Sequence, residues 1–261
     1  MNLIALGTNG YIPSYGRHTM SFLVLGESDA LVLDAGTGMS RLLEPAIRER
    51  LNGYDRLSIL LSHYHLDHVV GLSFLLGVWP DHPTTIYGPS RPLVDADPID
   101  AVNGLYRPPF FSIGLADLDA PVEIVSVSDS EFTVGEFHIR ARRQPHPGGS
   151  IGIRIGDDLA YVTDTAIQDE TVDFVRGVKA LLHEVWMTDE EAAAETPDAS
   201  RHSHESGVAD IAREAGVEWL APIHHHPSRT PDDLLAAAER MQARAGVTVR
   251  ILAEGETSSI R

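Results

Sequence analysis

Cysteine is absent from this 261-residue chain. No disulfide can form, and no thiolate is available to hold a metal ion. Lysine is nearly absent as well: Lys179 stands alone beside many arginines. Basic side chains as a whole are scarce, with Lys+Arg 20 against Asp+Glu 38 and a formal net charge of −18. Counterion release by basic side chains supplies most non-specific affinity for nucleic acid, so transfer RNA is not an expected partner. Long apolar runs are missing too. Nothing approaches the roughly 20 residues of a membrane span, so no membrane partner is expected. The opening run, Met1–Gly7, is too short for a secretory signal and has no basic region before it. A cytoplasmic protein is the expectation. What remains is ample for folding. At 43% hydrophobic residues the chain can build one sizeable core. No internal repeat or low-complexity linker divides it, so one domain over residues 1–261 is expected.

Against that background one segment stands out. His63-Tyr64-His65-Leu66-Asp67-His68 places three imidazoles and a carboxylate within six residues. The apolar run Leu57–Leu61 before it reads as a buried strand, and Val69-Val70-Gly71-Leu72 after it reads as the start of a helix. The polar cluster therefore falls at the C-terminal end of a strand, where a loop can turn several ligands toward one point. Imidazole and carboxylate together suit zinc and similar divalent ions.

This H-x-H-x-D-H pattern after a strand resembles the signature of the metallo-β-lactamase-fold hydrolases. Further parts of that pattern follow in order: His146 within Gln144-Pro145-His146-Pro147, Asp164 within Val162-Thr163-Asp164-Thr165, and His224 after Trp219–Ile223. The resemblance implies two ions. One is held by His63, His65 and His146, the second by Asp67, His68 and His224, and Asp164 bridges them. In His224-His225-His226 the ligand is ambiguous from sequence alone, and His224 matches the family position best. The ions are expected to be Zn²⁺, with Mn²⁺ or Fe possible, since this donor set serves all of them. A water between two such ions, roughly 3.5–4 Å apart, has its pKa drawn down toward about 7 and supplies hydroxide near neutral pH. The lack of cysteine argues against those β-lactamases of the family that place a thiolate on the second metal. Asp34, in Leu31–Gly38, is expected to support the metal loop from behind, because such carboxylates orient ligating imidazoles.

Several features resemble the ribonuclease Z-like branch, which includes phosphodiesterases. Leu6–Pro13 is similar to its opening strand and Gly-rich turn. Leu182-His183-Glu184 resembles its H-E segment, and His202-Ser203 its H-S-T segment. Carried over, Glu184 orients His202, and His202 is the general acid. His204 competes for that role. There are departures. Arg201 stands where the branch has Gly, His204 replaces the Thr, and the long basic insertion that grips transfer RNA is missing. A small-molecule substrate is therefore expected. The aromatic, proline-rich segment Asn103–Ser112 is the candidate contact surface: Tyr106, Phe110 and Phe111 for stacking, Arg107 for an anion. Arg229 is a second anion candidate.

Strand-like runs and helical candidates alternate along the chain. The clearest helix spans Pro231–Ala245, capped by Thr230, with acids at its positive end and Gly246 closing it. Helices are also expected at Met39–Leu51, Val69–Leu76 and Ser206–Ala215. The mixture is of α/β (α+β) class, and the resemblance implies a four-layer αββα sandwich and suggests a homodimer. The expected function is hydrolysis of a small phosphodiester at a dinuclear centre, with Asp67, Glu184 and His202 central to turnover. The alternatives are another ester-type bond, such as a lactone or thioester, and a non-catalytic metal-bound module that senses a ligand.

Overall fold

The computed structural model of the chain describes residues 1–80, 82–112, 114–115, 122–194 and 197–260. The first sheet takes β1 (Asn2–Gly7), β2 (Ser21–Leu25), β3 (Ala30–Leu33), β4 (Leu57–Leu60), β5 (Thr84–Pro89) and β6 (Val122–Val127). The second takes β7 (Glu131–Val134), β8 (Phe137–Gln144), β9 (Ser150–Ile155), β10 (Leu159–Val162), β11 (Ala180–Glu184), β12 (Trp219–Ile223) and β13 (Thr248–Val249). The last strand, β14 (Thr257–Ser259), crosses back to pair with β1. Within each sheet the strands from the middle to one edge run parallel: β3 to β6 in the first, β10 to β13 in the second.

Successive residues of a strand point to opposite faces, and here both faces are apolar. Leu3, Leu31, Leu33 and Leu60 of the first sheet share one cluster with Ile153, Tyr161, Leu182 and Ile223 of the second. Their neighbours Ile4, Val32 and Ile59 point the other way, into a cluster with Met39, Leu42, Ile47 and Leu72. Ala160, Leu181 and Leu220 likewise meet Val208, Ala212 and Met241 of the outer helices Glu205–Ala215 and Pro231–Ala245. Helix, sheet, sheet and helix thus stack as four layers, the expected αββα arrangement. Each fully buried Leu or Ile stabilises the fold by about 1.5–3 kcal/mol, so the central layer dominates its stability.

The expected elements are corrected in several places. The helix expected over Met39–Leu51 is a 3₁₀ segment, Thr37–Leu43, followed by a helix, Pro45–Leu51. Glu44 before Pro45 is extended, as the proline ring requires. The helix expected from Val69 starts inside the histidine motif, at Leu66, and breaks into 3₁₀ and α pieces up to Val78. The aromatic, proline-rich segment Asn103–Ser112 begins inside a helix, Pro98–Leu105, capped by Asp97. Edge strand β7, Glu131–Val134, alternates polar and apolar residues over only four positions, and β14, Thr257–Ser259, is a short polar run, so neither stands out in the sequence. The terminal helix follows its cap and stop signals as expected: Thr230 and Asp233 form a capping box, and Gly246 is left-handed.

Candidate functional site

The C-terminal ends of the parallel strands converge on one cleft, the usual location of ligand sites in such sheets. Asp34 follows β3, His63 follows β4, Asp164 follows β10, Glu184 ends β11 and His224 follows β12. Three of these sit in left-handed backbone: Asp34 at φ 57, Asp164 at φ 49 and His224 at φ 52. Non-glycine residues pay about 1–3 kcal/mol for such conformations and hold them only where the surroundings over-determine them.

The motif helix Leu66–Val69 starts at His65 and carries Asp67 and His68 in its single turn. Candidate ligand atoms of His63, His65, His146 and Asp164 lie within 4.8 Å of one another, and so do those of Asp67, His68 and His224. Asp164 faces both groups. Its Oδ1 lies 3.5 Å from His146 Nε2 and 3.9 Å from His63 Nε2, and its Oδ2 lies 3.1 Å from His68 Nε2 and 3.3 Å from His224 Nε2. Asp164, His202 and His224 form a third, overlapping group.

The donor set fits a divalent ion. His63 Nε2, His68 Nε2 and His146 Nδ1 are buried and make no hydrogen bond among the described residues. Burial holds the His63 imidazole well below its ordinary range, reinforced by His68, and burial likewise lowers His65 and His146. Burial thus favours the neutral, ligating form of all three. In the other half burial opposes charge, but the carboxylates of Asp67, Asp164 and Asp34 raise His68, and His224 is pushed up to about 10 by Asp164, Asp67 and Glu184. Burial would raise the carboxyls of Asp67 and Asp164, but the adjacent imidazoles hold both well below the ordinary range. Ligands must be deprotonated, so an ion entering this half displaces imidazole protons.

Behind the candidate ligands lies a buried carboxylate. Asp34 accepts from Ser62 N at 2.6 Å, Ser62 Oγ at 2.7 Å and Tyr161 Oη at 2.6 Å, and its Oδ2 meets His68 Nδ1 at 2.7 Å. It fixes the His68 ring so that Nε2 points at the cluster. Substitution Asp34→Ala strands these donors in the core and is expected to cost about 3–5 kcal/mol of stability. It should also lower metal affinity about 10–100-fold. Urea denaturation and chelator competition measure the two effects separately.

The loop after β1 forms another wall. A Cβ on Gly10 would lie 2.4–2.6 Å from His224 ring atoms, so only glycine lets the backbone pass there. The next amide, Tyr11 N–H, donates to Asp67 Oδ2 at 2.7 Å. Asn9, Ser14 and Arg17 tie this loop to Pro227 and Arg229 through side-chain and carbonyl bonds.

On the far side Glu184 is fully buried. Its Oε1 accepts from Thr165 N at 2.7 Å and Ser203 N at 3.2 Å, and its Oε2 meets His202 Nδ1 at 2.9 Å. The His202 ring lies against Trp186, 4.9 Å away at 23°, and against His224, 5.6 Å away at 16°, and those two rings are themselves 5.3 Å apart. The carboxylate leaves His202 Nε2 as the uncommitted nitrogen. The cleft holds about 210 Å³, and its rim is Tyr11, Pro147, Trp186, Asp198 and Arg201.

The expected substrate contacts fare differently. Tyr106 is only 1% exposed and donates its hydroxyl to Leu72 O, so the expected stacking role is corrected to a core one. Phe111 packs on the Tyr106 ring, 4.7 Å away, in the outer-helix cluster. Arg107 and Phe110 are exposed but do not line the cleft. Arg229 is paired with Glu191 and also lies off the cleft. His204 turns to Asp189 at 3.0 Å. His225 is buried outside the ligand groups, and His226 bonds Ser228. Sequence reading missed Tyr11, Trp186 and Arg201 as rim residues. Trp186 had one available signal, its position two residues beyond the Glu184 strand end.

A family profile described as a β-lactamase superfamily domain matches residues 30–225. An uncharacterized Mycobacterium tuberculosis protein is 28% identical over 256 residues, covering 92% of this chain and 86% of its own length. A ribonuclease Z of Methanopyrus kandleri is 26% identical over 281 residues, covering 94% of this chain and 96% of its own. Among solved structures, the metallo-β-lactamase fold protein YhfI of Bacillus subtilis superposes with a TM-score of 0.77 at 23% identity, covering 98% of each chain.

Proposed function

The chain belongs to the β-lactamase superfamily, and from that premise we propose that it is a dinuclear metal-dependent hydrolase of a small phosphodiester. The observation that carries this reading is the division of Asp164. Its two oxygens face two different sets of imidazoles, which is the arrangement a bridging carboxylate requires. His63, His65 and His146 would hold one ion, Asp67, His68 and His224 the other, and Asp164 both. Zinc suits the donor set, and manganese or iron would also be accepted. When bound, such a pair supplies Lewis acidity and a water acidic enough to ionise near neutral pH.

The remaining chemistry belongs to the chain. Glu184, pinned by two backbone amides, orients His202 through Nδ1. His202 Nε2 then delivers a proton to the departing oxygen. The stacked Trp186 holds the ring in place and keeps water from that side. Similarity to a ribonuclease Z supports a phosphodiester. The acidic total and a cleft whose lining includes one arginine and no lysine support a small substrate over a polynucleotide. Among the described residues no helix is long and apolar enough to cross a membrane.

The test measures metal content and hydrolysis of bis(p-nitrophenyl) phosphate on one preparation. The expected result is about two ions per chain, with turnover that disappears on chelation and returns with added zinc or manganese. Two ions without turnover would shift the reading to a lactone, a thioester or a sensing role. One ion or fewer would overturn the dinuclear assignment.

A further inference from the structure

Among the described residues the rim of the cleft carries one permanent cation, Arg201. The other charged side chains lining the cleft are carboxylates, Asp67, Asp164 and Asp198, and imidazoles. Among the described residues the Arg201 guanidinium has no hydrogen-bond or ion-pair partner, whereas most arginines of this chain are paired with acids or carbonyls. Examples are Arg41 with Glu254, Arg154 with Asp157 and Arg240 with Glu205. Exposed at the mouth of the cleft, that guanidinium is open to an incoming anion. Local structure explains how it comes to be there. The 3₁₀ turn Pro197–Ser200 ends with the amides of both Arg201 and His202 donating to Asp198 O at 2.9 Å. That turn sends His202 inward to Glu184 and leaves Arg201 exposed on the rim.

The geometry points to Arg201 as the residue that selects a substrate bearing a second anionic group, a carboxylate or phosphate, on its leaving-group half. This rests on the phosphodiester reading above. His202 protonates the leaving oxygen, and Arg201 lines the same cleft from its rim, so a guanidinium there meets the part of the substrate that departs. The scissile phosphate lies deeper, among the ligand imidazoles. A guanidinium offers a planar fork to a carboxylate or phosphate, which lysine cannot reproduce. Asp198 on the same rim repels an anion that enters from its side, which narrows the approach to the arginine.

Two matched diesters test this: methyl 4-carboxyphenyl phosphate, and its neutral twin in which the carboxylate is a methyl ester. Wild-type kcat/KM should favour the anionic probe once intrinsic reactivity is divided out. Arg201→Ala should erase that preference, by about ten-fold or more through KM, with kcat little changed and Arg201→Lys restoring part of it. Equal losses on both probes would overturn the inference. Calorimetry with the two corresponding non-hydrolysable phosphonates provides an independent readout. If the wild type prefers the carboxylate analogue and Arg201→Ala does not, yet neither diester is hydrolysed, the anion contact at Arg201 stands and the phosphodiester reading, with the assignment to a leaving group, fails. If wild type and variant bind both analogues alike, the inference fails whatever the turnover.

Discussion

Replacing Asp164 by alanine is expected to lower turnover by roughly a thousand-fold or more and to cut bound metal from about two ions per chain to one or none. The carboxylate is the only group whose two oxygens reach both sets of imidazoles among the described residues. Metal assistance is worth several kcal/mol of transition-state stabilisation, and each 1.36 kcal/mol is a factor of ten in rate. The substitution also removes the main carboxylate raising His224 and one of those raising His68, so both imidazoles lose protons more readily. That change favours ligation by the histidines alone, which is why one ion can survive. Asp164→Asn separates charge from shape. It keeps the size and leaves an oxygen to accept from Thr163 Oγ1, which now lies 2.6 Å from Asp164 Oδ2, but it cannot bridge as an anion. Metal analysis and turnover on the same samples, with circular dichroism to establish folding, decide the matter. Two ions and near-normal turnover in Asp164→Ala would remove this residue from between the ions.

The cluster of candidate ligands was legible because its signal is local and ordered. Three imidazoles and a carboxylate within six residues after an apolar strand leave little else to read, and His146, Asp164 and His224 follow at later strand ends. The four layers were legible for a related reason. Strands buried on both faces are written as continuous apolar runs such as Leu57–Leu61, and Pro231–Ala245 carries its own cap and stop. The rim was not legible, because it is assembled by distance in space. Tyr11 reaches Asp67 across 56 residues of chain, and Trp186 reaches His202 through a stacking contact with no pattern in the sequence. The aromatic segment near Asn103 misled for a physical reason. Aromatic and proline content marks a stiff apolar surface, but not which surface it covers. Tyr106 and Phe111 cover the outer helices of the first sheet. Nor does sequence reveal that Arg107 does not line the cleft while Arg201, one residue before His202, borders it.

Replacing His202 by alanine should lower kcat by about 10²–10⁴-fold for a substrate with an alkyl leaving group, with metal content unchanged. The effect should shrink sharply with a p-nitrophenyl ester, because that leaving group departs without needing a proton. This dependence on the leaving group distinguishes an acid from a residue that merely supports the fold. The pH profile adds a second, independent handle. Burial lowers the His202 imidazole, but the Glu184 carboxylate and its hydrogen bond outweigh burial and leave it above its ordinary value. The protonated form therefore persists to higher pH than a free histidine would allow, and activity should fall as pH rises through that raised value. Glu184→Gln removes the opposing charge and keeps the burial, so the alkaline limb should move to lower pH. A limb that stays in place would mean that another group titrates. Loss of metal from His202→Ala would instead make His202 a ligand, as the overlapping group of Asp164, His202 and His224 permits, and the proton would have to come from elsewhere.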